Sequence, residues 1–200
     1  MTFSRCKTTL ALAATLASLG AQAGLVTFDP VDEQGSTLAA GDAITAMGFN
    51  FTQFNAAPAT LFAGDLVGAY ASNGSNTLFA GNAAEIVLTA AGGGLFNLAS
   101  LEVGGGNLGD LTTWATELQL FGLTANNMTL MSTVQLDPNS MGLAMVGLSN
   151  FTNLTQVSFR VAAGDFSLDN LRLQAVPEPA SWALIALALV GVGVSRRRGH

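Results

Sequence analysis

The chain reads as an all-β protein, a two-sheet β-sandwich of jelly-roll kind, flanked by a targeting segment at each end. Three observations predict this. Between residues 24 and 176, short apolar runs recur at intervals of about ten residues and several alternate with polar positions, the period of a half-buried strand. Gly, Asn, Ser and Asp punctuate the runs, most plainly at Gly92–Gly94 and Gly104–Gly106, where a long helix is disfavoured. No part of the stretch carries a capped apolar stripe of helical period, so strands follow strands directly.

In chain order the predicted strands are Leu25–Phe28, Ala43–Phe51, Leu66–Ala71, Thr77–Ala80, Glu85–Ala90, Phe96–Val103, Thr116–Leu123, Thr129–Leu136, Leu143–Leu148, Gln156–Val161 and Phe166–Gln174. In Glu117-Leu118-Gln119-Leu120-Phe121, Leu118 and Leu120 share one face. Val157-Ser158-Phe159-Arg160-Val161 alternates without interruption. In the last strand the apolar residues fall at 166, 168, 171 and 173, and this phase shift at Asp169-Asn170 predicts a bulge. About ten strands fit two facing sheets. No repeat of about 20–50 residues is visible, which argues against a solenoid or propeller.

The two ends are built differently. Arg5 and Lys7 precede the apolar stretch Leu10 to Leu19, and Ala21-Gln22-Ala23 supplies a small-x-small cleavage site, so residues 1–23 read as a signal peptide cut before Gly24. Residues 177–200 open on Pro177-Glu178-Pro179, continue through an uncharged apolar span at 180–194 and end in Arg196-Arg197-Arg198. As a helix that span would rise roughly 22 Å against a hydrocarbon core of about 30 Å, short for a permanent anchor unless the arginines snorkel to the interface. The basic cluster keeps its end in the cytosol and places everything before Pro177 across the membrane.

Val176-Pro177-Glu178-Pro179-Ala180-Ser181, the span and the arginines resemble the sorting signal of bacterial PEP-CTERM proteins. The resemblance covers about 25 residues. It implies recognition by an exosortase, a membrane-embedded cysteine transpeptidase-like enzyme that removes the tail. The implied route is through the secretion machinery, with transient inner-membrane anchoring, to the envelope, outer surface or extracellular matrix of a Gram-negative bacterium. A plain C-terminal membrane anchor is the competing reading.

Composition limits what the 24–176 ectodomain can do. Its 153 residues (176 − 24 + 1) suffice for one domain with a core, and they hold two basic residues, Arg160 and Arg172, against twelve acids, a formal charge of 2 − 12 = −10. Such a surface repels phosphates, which excludes nucleic acid. The only cysteine is Cys6 and the only histidine is His200, both outside the ectodomain, which also lacks lysine. Disulfides, His- or Cys-dependent nucleophilic triads and imidazole or thiolate zinc sites are therefore excluded. Catalysis would have to rest on carboxylates, as in a glycan-acting hydrolase with a paired acid and base.

Two constellations stand out. Thr27-Phe28-Asp29 near the start and Phe166-Ser167-Leu168-Asp169-Asn170-Leu171 near the end resemble the layout of galactose-binding-like jelly rolls, which include many carbohydrate-binding modules. That resemblance implies neighbouring first and last strands with a structural calcium between them, held here by Asp29 or Glu33 with Asp169. Without it, Asp29-Pro30 opens a turn and Asp169 lies on a solvated strand face. The second is Trp114, which with Asp110 could stack a sugar ring or else plug the core. Gly104-Gly105-Gly106-Asn107-Leu108-Gly109 lacks a following helix and a lysine, so it is no phosphate loop. The expected protein is thus a non-enzymatic, exported surface or matrix protein with a structural or adhesive role in exopolysaccharide or biofilm. A carbohydrate-binding module and a carboxylate hydrolase are the alternatives. No cofactor beyond calcium is expected.

Overall fold

The computed structural model describes residues 23–29, 37–54, 59–60, 62–64, 71–81, 84–105 and 114–176. Fourteen strands and no helix lie among them: β1 (Ala23–Val26), β2 (Thr37–Leu38), β3 (Ala43–Ala46), β4 (Phe49–Gln53), β5 (Ala59–Thr60), β6 (Phe62–Gly64), β7 (Thr77–Ala80), β8 (Glu85–Ala90), β9 (Leu95–Gly104), β10 (Glu117–Thr124), β11 (Thr129–Gln135), β12 (Ala144–Gly147), β13 (Leu154–Arg160) and β14 (Phe166–Val176). All named strand pairings are antiparallel. The anticipated apolar span at 180–194 and the signal segment 1–22 lie outside the described residues. Among those described, no helix is long and apolar enough to cross a membrane.

The hydrogen-bonded path divides into two layers. One runs β11-β10-β13-β8-β4-β3; the other runs β12-β9-β14, with β7 and then β6 beside the first half of β14 and β1 beside its second half. The layers are joined through β13 and β9 by a single pairing, Leu154 with Phe96. Elsewhere they face each other across one core. Phe28, next to β1, packs edge-on against Phe51 of β4 at 5.0 Å, and Phe49 of β4 meets Phe96 of β9 at 5.6 Å. This is the sandwich the alternation predicts: Ile86, Leu88, Leu118, Leu120, Val157 and Phe159 enter from one layer, and Leu98, Leu101, Val103, Leu168, Leu171 and Leu173 from the other. Each buried large side chain contributes about 1.5–3 kcal/mol of transfer free energy.

The predicted bulge is present, and it has a partner. Asn170 sits at φ 48°, and the β14–β9 register shifts between Asp169 and Arg172. Three steps on β14, from Asp169 to Arg172, face two on β9, from Glu102 to Ser100. The next step reverses this, since Arg172 to Leu173 faces Ser100 to Leu98. The two irregularities cancel, and the register after Leu173 is the one before Asp169. The spacing of Phe96, Leu98, Leu101 and Val103 carries the same phase shift as β14, a signal readable in the sequence.

The single strand anticipated over Ala43–Phe51 is instead two. Met47 and Gly48 adopt φ 47° and 85°, a two-residue reversal between β3 and β4 in which Ala46 pairs with Phe49. Two positive φ values match the twist of a hairpin, and the usual occupants are Asn-Gly. Methionine at the first position is strained, because its Cβ crowds the backbone in the left-handed region. Met47→Asn is therefore expected to stabilise the protein by roughly 0.5–1 kcal/mol, a rise in Tm of up to about 4 °C. An unchanged or lowered Tm would show that the methionine side chain compensates locally. The strand anticipated at Leu66–Ala71 falls outside the described residues except for Ala71, which is not in a strand.

Candidate functional site

The first and last strands are neighbours. β1 pairs with β14 from Ala23 opposite Gln174 to Val26 opposite Leu171, so Asp29, three residues beyond β1, is carried toward Asp169. The β14 bulge sets Asp169 and Asn170 as consecutive side chains facing the segment 72–76. That segment stitches three carboxylates together. Asn73 Nδ2 donates to Glu102 Oε2 at 2.8 Å and to Asp169 Oδ2 at 2.9 Å. Ser75 Oγ donates to Asp169 Oδ2 at 2.7 Å, Asn170 Nδ2 donates to Glu102 Oε2 at 2.9 Å, and the Asn76 backbone N–H donates to Asp29 Oδ1 at 3.0 Å.

Asp169 does not lie on a solvated strand face. Its exposure is 0%, and Oδ1 is buried with no hydrogen bond of good geometry. Burial pushes its carboxyl above the ordinary value of 3.8, and the nearby Asp29 charge adds to the push. The hydrogen bonds from Ser75 and Asn73 and the adjacent backbone N–H of Asn170 oppose it. A raised folded-state pKa stabilises most below the unfolded value, and that stability is lost as pH rises through the folded value. Asp169→Asn keeps an acceptor for Asn73 and Ser75 and removes the charge. The variant is expected to gain stability over the parent near neutral pH, the gain fading as pH falls toward the ordinary carboxylate range. Urea unfolding at two pH values tests this; an identical stability difference at both would contradict it.

Among the described residues, no three acidic, His or Cys side chains are grouped closely enough to hold a metal ion. Glu33, the third anticipated calcium ligand, lies outside the described residues. The donor chemistry nevertheless suits a hard cation: Asp169 and Asp29 offer carboxylate oxygens held by the same segment, 73–76, and Asp169 Oδ1 accepts no hydrogen bond of good geometry. Glu102, Asn73, Ser75 and Asn76 were not anticipated as parts of this cluster. The signal was the turn-rich Ser72-Asn73-Gly74-Ser75-Asn76, whose short polar side chains bind backbone and carboxylates equally well.

Trp114 is half-buried, neither a full core plug nor a free platform. It forms an isolated parallel bridge with Asp165, and the Ala115 backbone N–H donates to the Asp165 carbonyl at 3.3 Å. A Cβ on Gly105 would lie 2.3 Å from the Ala115 carbonyl oxygen, so this close passage requires glycine. Its anticipated companion Asp110 is outside the described residues. On the outer face of the first layer, Gln119 and Gln135 donate to the two oxygens of Glu117 at 3.0 and 3.1 Å and hold its carboxyl below the ordinary value. Arg160 lies 3.9 Å above the centre of the Phe121 ring, and Ser158 donates to Glu85.

Residues 175–198 match the PEP-CTERM protein-sorting motif, which marks an exported, exosortase-processed protein. The anticipated sorting residues Pro177, Glu178, Pro179, Arg196, Arg197 and Arg198 lie outside the described residues. No curated protein matches the chain. Among solved structures it is similar to a variant of the family 29 carbohydrate-binding module CBM29-2 in complex with cellulohexaose, at 11% identity and TM-score 0.45, over 78% of this chain and 92% of that one. It is also similar to discoidin II of Dictyostelium discoideum, at 9% identity and TM-score 0.35, over 54% of this chain and 45% of that one. A third is a pair of family 32 carbohydrate-binding modules from Clostridium perfringens in complex with GalNAc, at 14% identity and TM-score 0.37, over 79% and 40%. These likenesses are distant, and the fold is established by the strand pairing itself.

Proposed function

We propose that the protein is a non-catalytic β-sandwich with a structural or adhesive role at the cell envelope or in the surrounding exopolysaccharide. The observation that carries this reading is the join between domain and signal: the sorting motif starts at residue 175, inside β14, the central strand of its layer. The domain behind it is poor in chemistry, with no histidine, lysine or cysteine between residues 24 and 176. The acid cluster supports a structural role, because Asp169 is fully buried and tied to Asn73 and Ser75. A glycosidase acid or base must reach the glycosidic oxygen or a water beside the sugar, which a sealed carboxylate does not.

The second reading, a carbohydrate-binding module, is favoured by Trp114, whose indole is only half-buried. Both readings are tested by sedimenting the 24–176 domain with isolated exopolysaccharide while measuring released reducing ends. Sedimentation without release is expected. Loss of sedimentation in Trp114→Ala with Tm unchanged would select the binding module, and release of reducing ends would refute the non-catalytic reading.

Calcium belongs to the same proposal, with Asp29, Asp169 and Glu33 supplying oxygens that would pin the first strand to the last. At a hundredfold excess over Kd, one ion that binds only the folded state adds about 2.7 kcal/mol, which is roughly 5–10 °C in Tm for a domain of this size. Asp169→Asn is expected to abolish that rise. The same Tm with calcium and with chelator would dispose of the site.

A further inference from the structure

Among the described residues, the charged side chains of the ectodomain are segregated along the strands, and the segregation follows the sorting tail. β14 ends at Val176 and β1 starts at Ala23, so both targeting segments join one end of the sandwich. Strand register places four connections at that end. They are the Met47-Gly48 turn, the 91–94 turn, the 125–128 turn and the 149–153 segment. The Ala91 N–H donates to the Gly48 carbonyl and the Ala125 N–H to the Asn153 carbonyl, both at 2.9 Å, which ties these connections together in two pairs.

None of those connections, nor residues 23–25 or 174–176, contains Asp, Glu, Lys, Arg or His. Asp42, Glu85, Glu117, Asp137, Arg160 and Asp165 all stand at the opposite ends of their strands. The sequence between them is uncharged over 43–64, 86–101, 118–136 and 138–159, and each run turns around at or near the tail end. The charge nearest the tail on β14 is positive: Arg172, opposite Leu25. The end also exposes Met47 at 58%, Met128 at 63% and Leu25 at 45%. Met131, Met145 and Phe54 are equally exposed elsewhere, so it is the missing charge that distinguishes this end. Met47 adds an independent sign, because it occupies a strained turn position that folding alone would give to asparagine.

We propose that this uncharged end is a membrane-seating surface, resting on the bilayer interface while the precursor is held by its tail. The inference depends on the exported, tail-anchored reading above. Three residues separate Val176 from the start of the apolar span, four steps along the chain and a reach of at most about 14 Å. The end is thereby held at the headgroup layer, where carboxylates would be repelled by anionic lipid and would lose hydration. In that link the acid is Glu178, part of the sorting motif itself.

The test uses the chain from Gly24 to His200, which contains no cysteine, in vesicles of phosphatidylethanolamine and phosphatidylglycerol without exosortase. Single variants Met47→Cys, Met128→Cys and, at the far end, Asn139→Cys carry a polarity-sensitive dye, and brominated lipids serve as quenchers. Quenching at 47 and 128 is expected to exceed that at 139 by about threefold or more, as for groups seated within about 5–10 Å of the headgroup boundary. Met47→Glu with Met128→Glu, read from a dye at Asn126→Cys, is expected to bring quenching down to the level seen at 139. Equal quenching at both ends, with the tail resistant to alkaline extraction, would overturn the seating surface alone. A tail that washes out would overturn the anchored reading and the seating with it. Quenching that arises only in exosortase-containing membranes would replace lipid by a protein contact.

Discussion

Phe51→Ala is expected to destabilise the domain by about 3–5 kcal/mol, a large fraction of the 5–15 kcal/mol that separates folded from unfolded chains. Phe51 has 0% exposure and stands at the centre of β4, where its ring meets Phe28 edge-on at 5.0 Å. Phe28 belongs to the other layer through β1, so the pair closes the core where the two layers share no ladder hydrogen bonds. Alanine removes the ring and leaves a cavity bounded by Ile86 and Leu88 on the neighbouring strand, which are locked by their own pairing. The cost should appear as a lower urea midpoint at constant m-value. A double cycle with Phe28→Ala is expected to give a coupling of about 0.5–1.5 kcal/mol, the usual worth of an edge-to-face pair beyond its area. Strict additivity would mean that the rings fill space independently and that the contact between layers is incidental.

Replacing Pro177, Glu178 and Pro179 with alanine is expected to arrest the protein as a full-length precursor in the inner membrane. Each proline fixes its own φ and disfavours helix in the residue before it, a bias that alanine lacks. The motif begins within a paired strand, where Ala175 and Val176 pair with Phe96 and Leu95. The alanines remove the side chains that an enzyme would read and favour helix where the prolines oppose it. Mass spectrometry of the envelope and medium fractions gives the result directly. Normal release of a trimmed variant would show that another protease removes the tail.

The fold class was legible in the sequence because alternation survives in strands with one buried face. The pattern at Leu118 and Leu120 in β10 and at Phe166, Leu168, Leu171 and Leu173 in β14 gave strands and bulge alike. The Met47-Gly48 hairpin was hidden because Met lacks turn preference, and its apolar character continued the run on either side. β2, β5 and β6 were missed because strands of two or three residues are too short to show a period. At the acid cluster, the resemblance to galactose-binding-like jelly rolls pointed to Asp29 or Glu33 with Asp169, at the two ends of the chain. Glu102 and the 72–76 segment could not be attached to them, because pairing of β9 with β14 is a long-range fact that no local pattern encodes. The charge segregation was written in the sequence as uncharged runs, but it acquires meaning only when the register places their midpoints at one end.

The continuity of β14 with the sorting tail also bears on how the molecule carries load. Traction on Val176 enters a strand that is hydrogen-bonded to β9 on one side and to β1 and β7 on the other. Pulled along its length, such a strand strains these bonds together in shear, whereas an edge strand would unzip one bond at a time. Pulled through β14, the domain would therefore resist unfolding better than if it were pulled through β11 or β12, which stand at the edges of their layers.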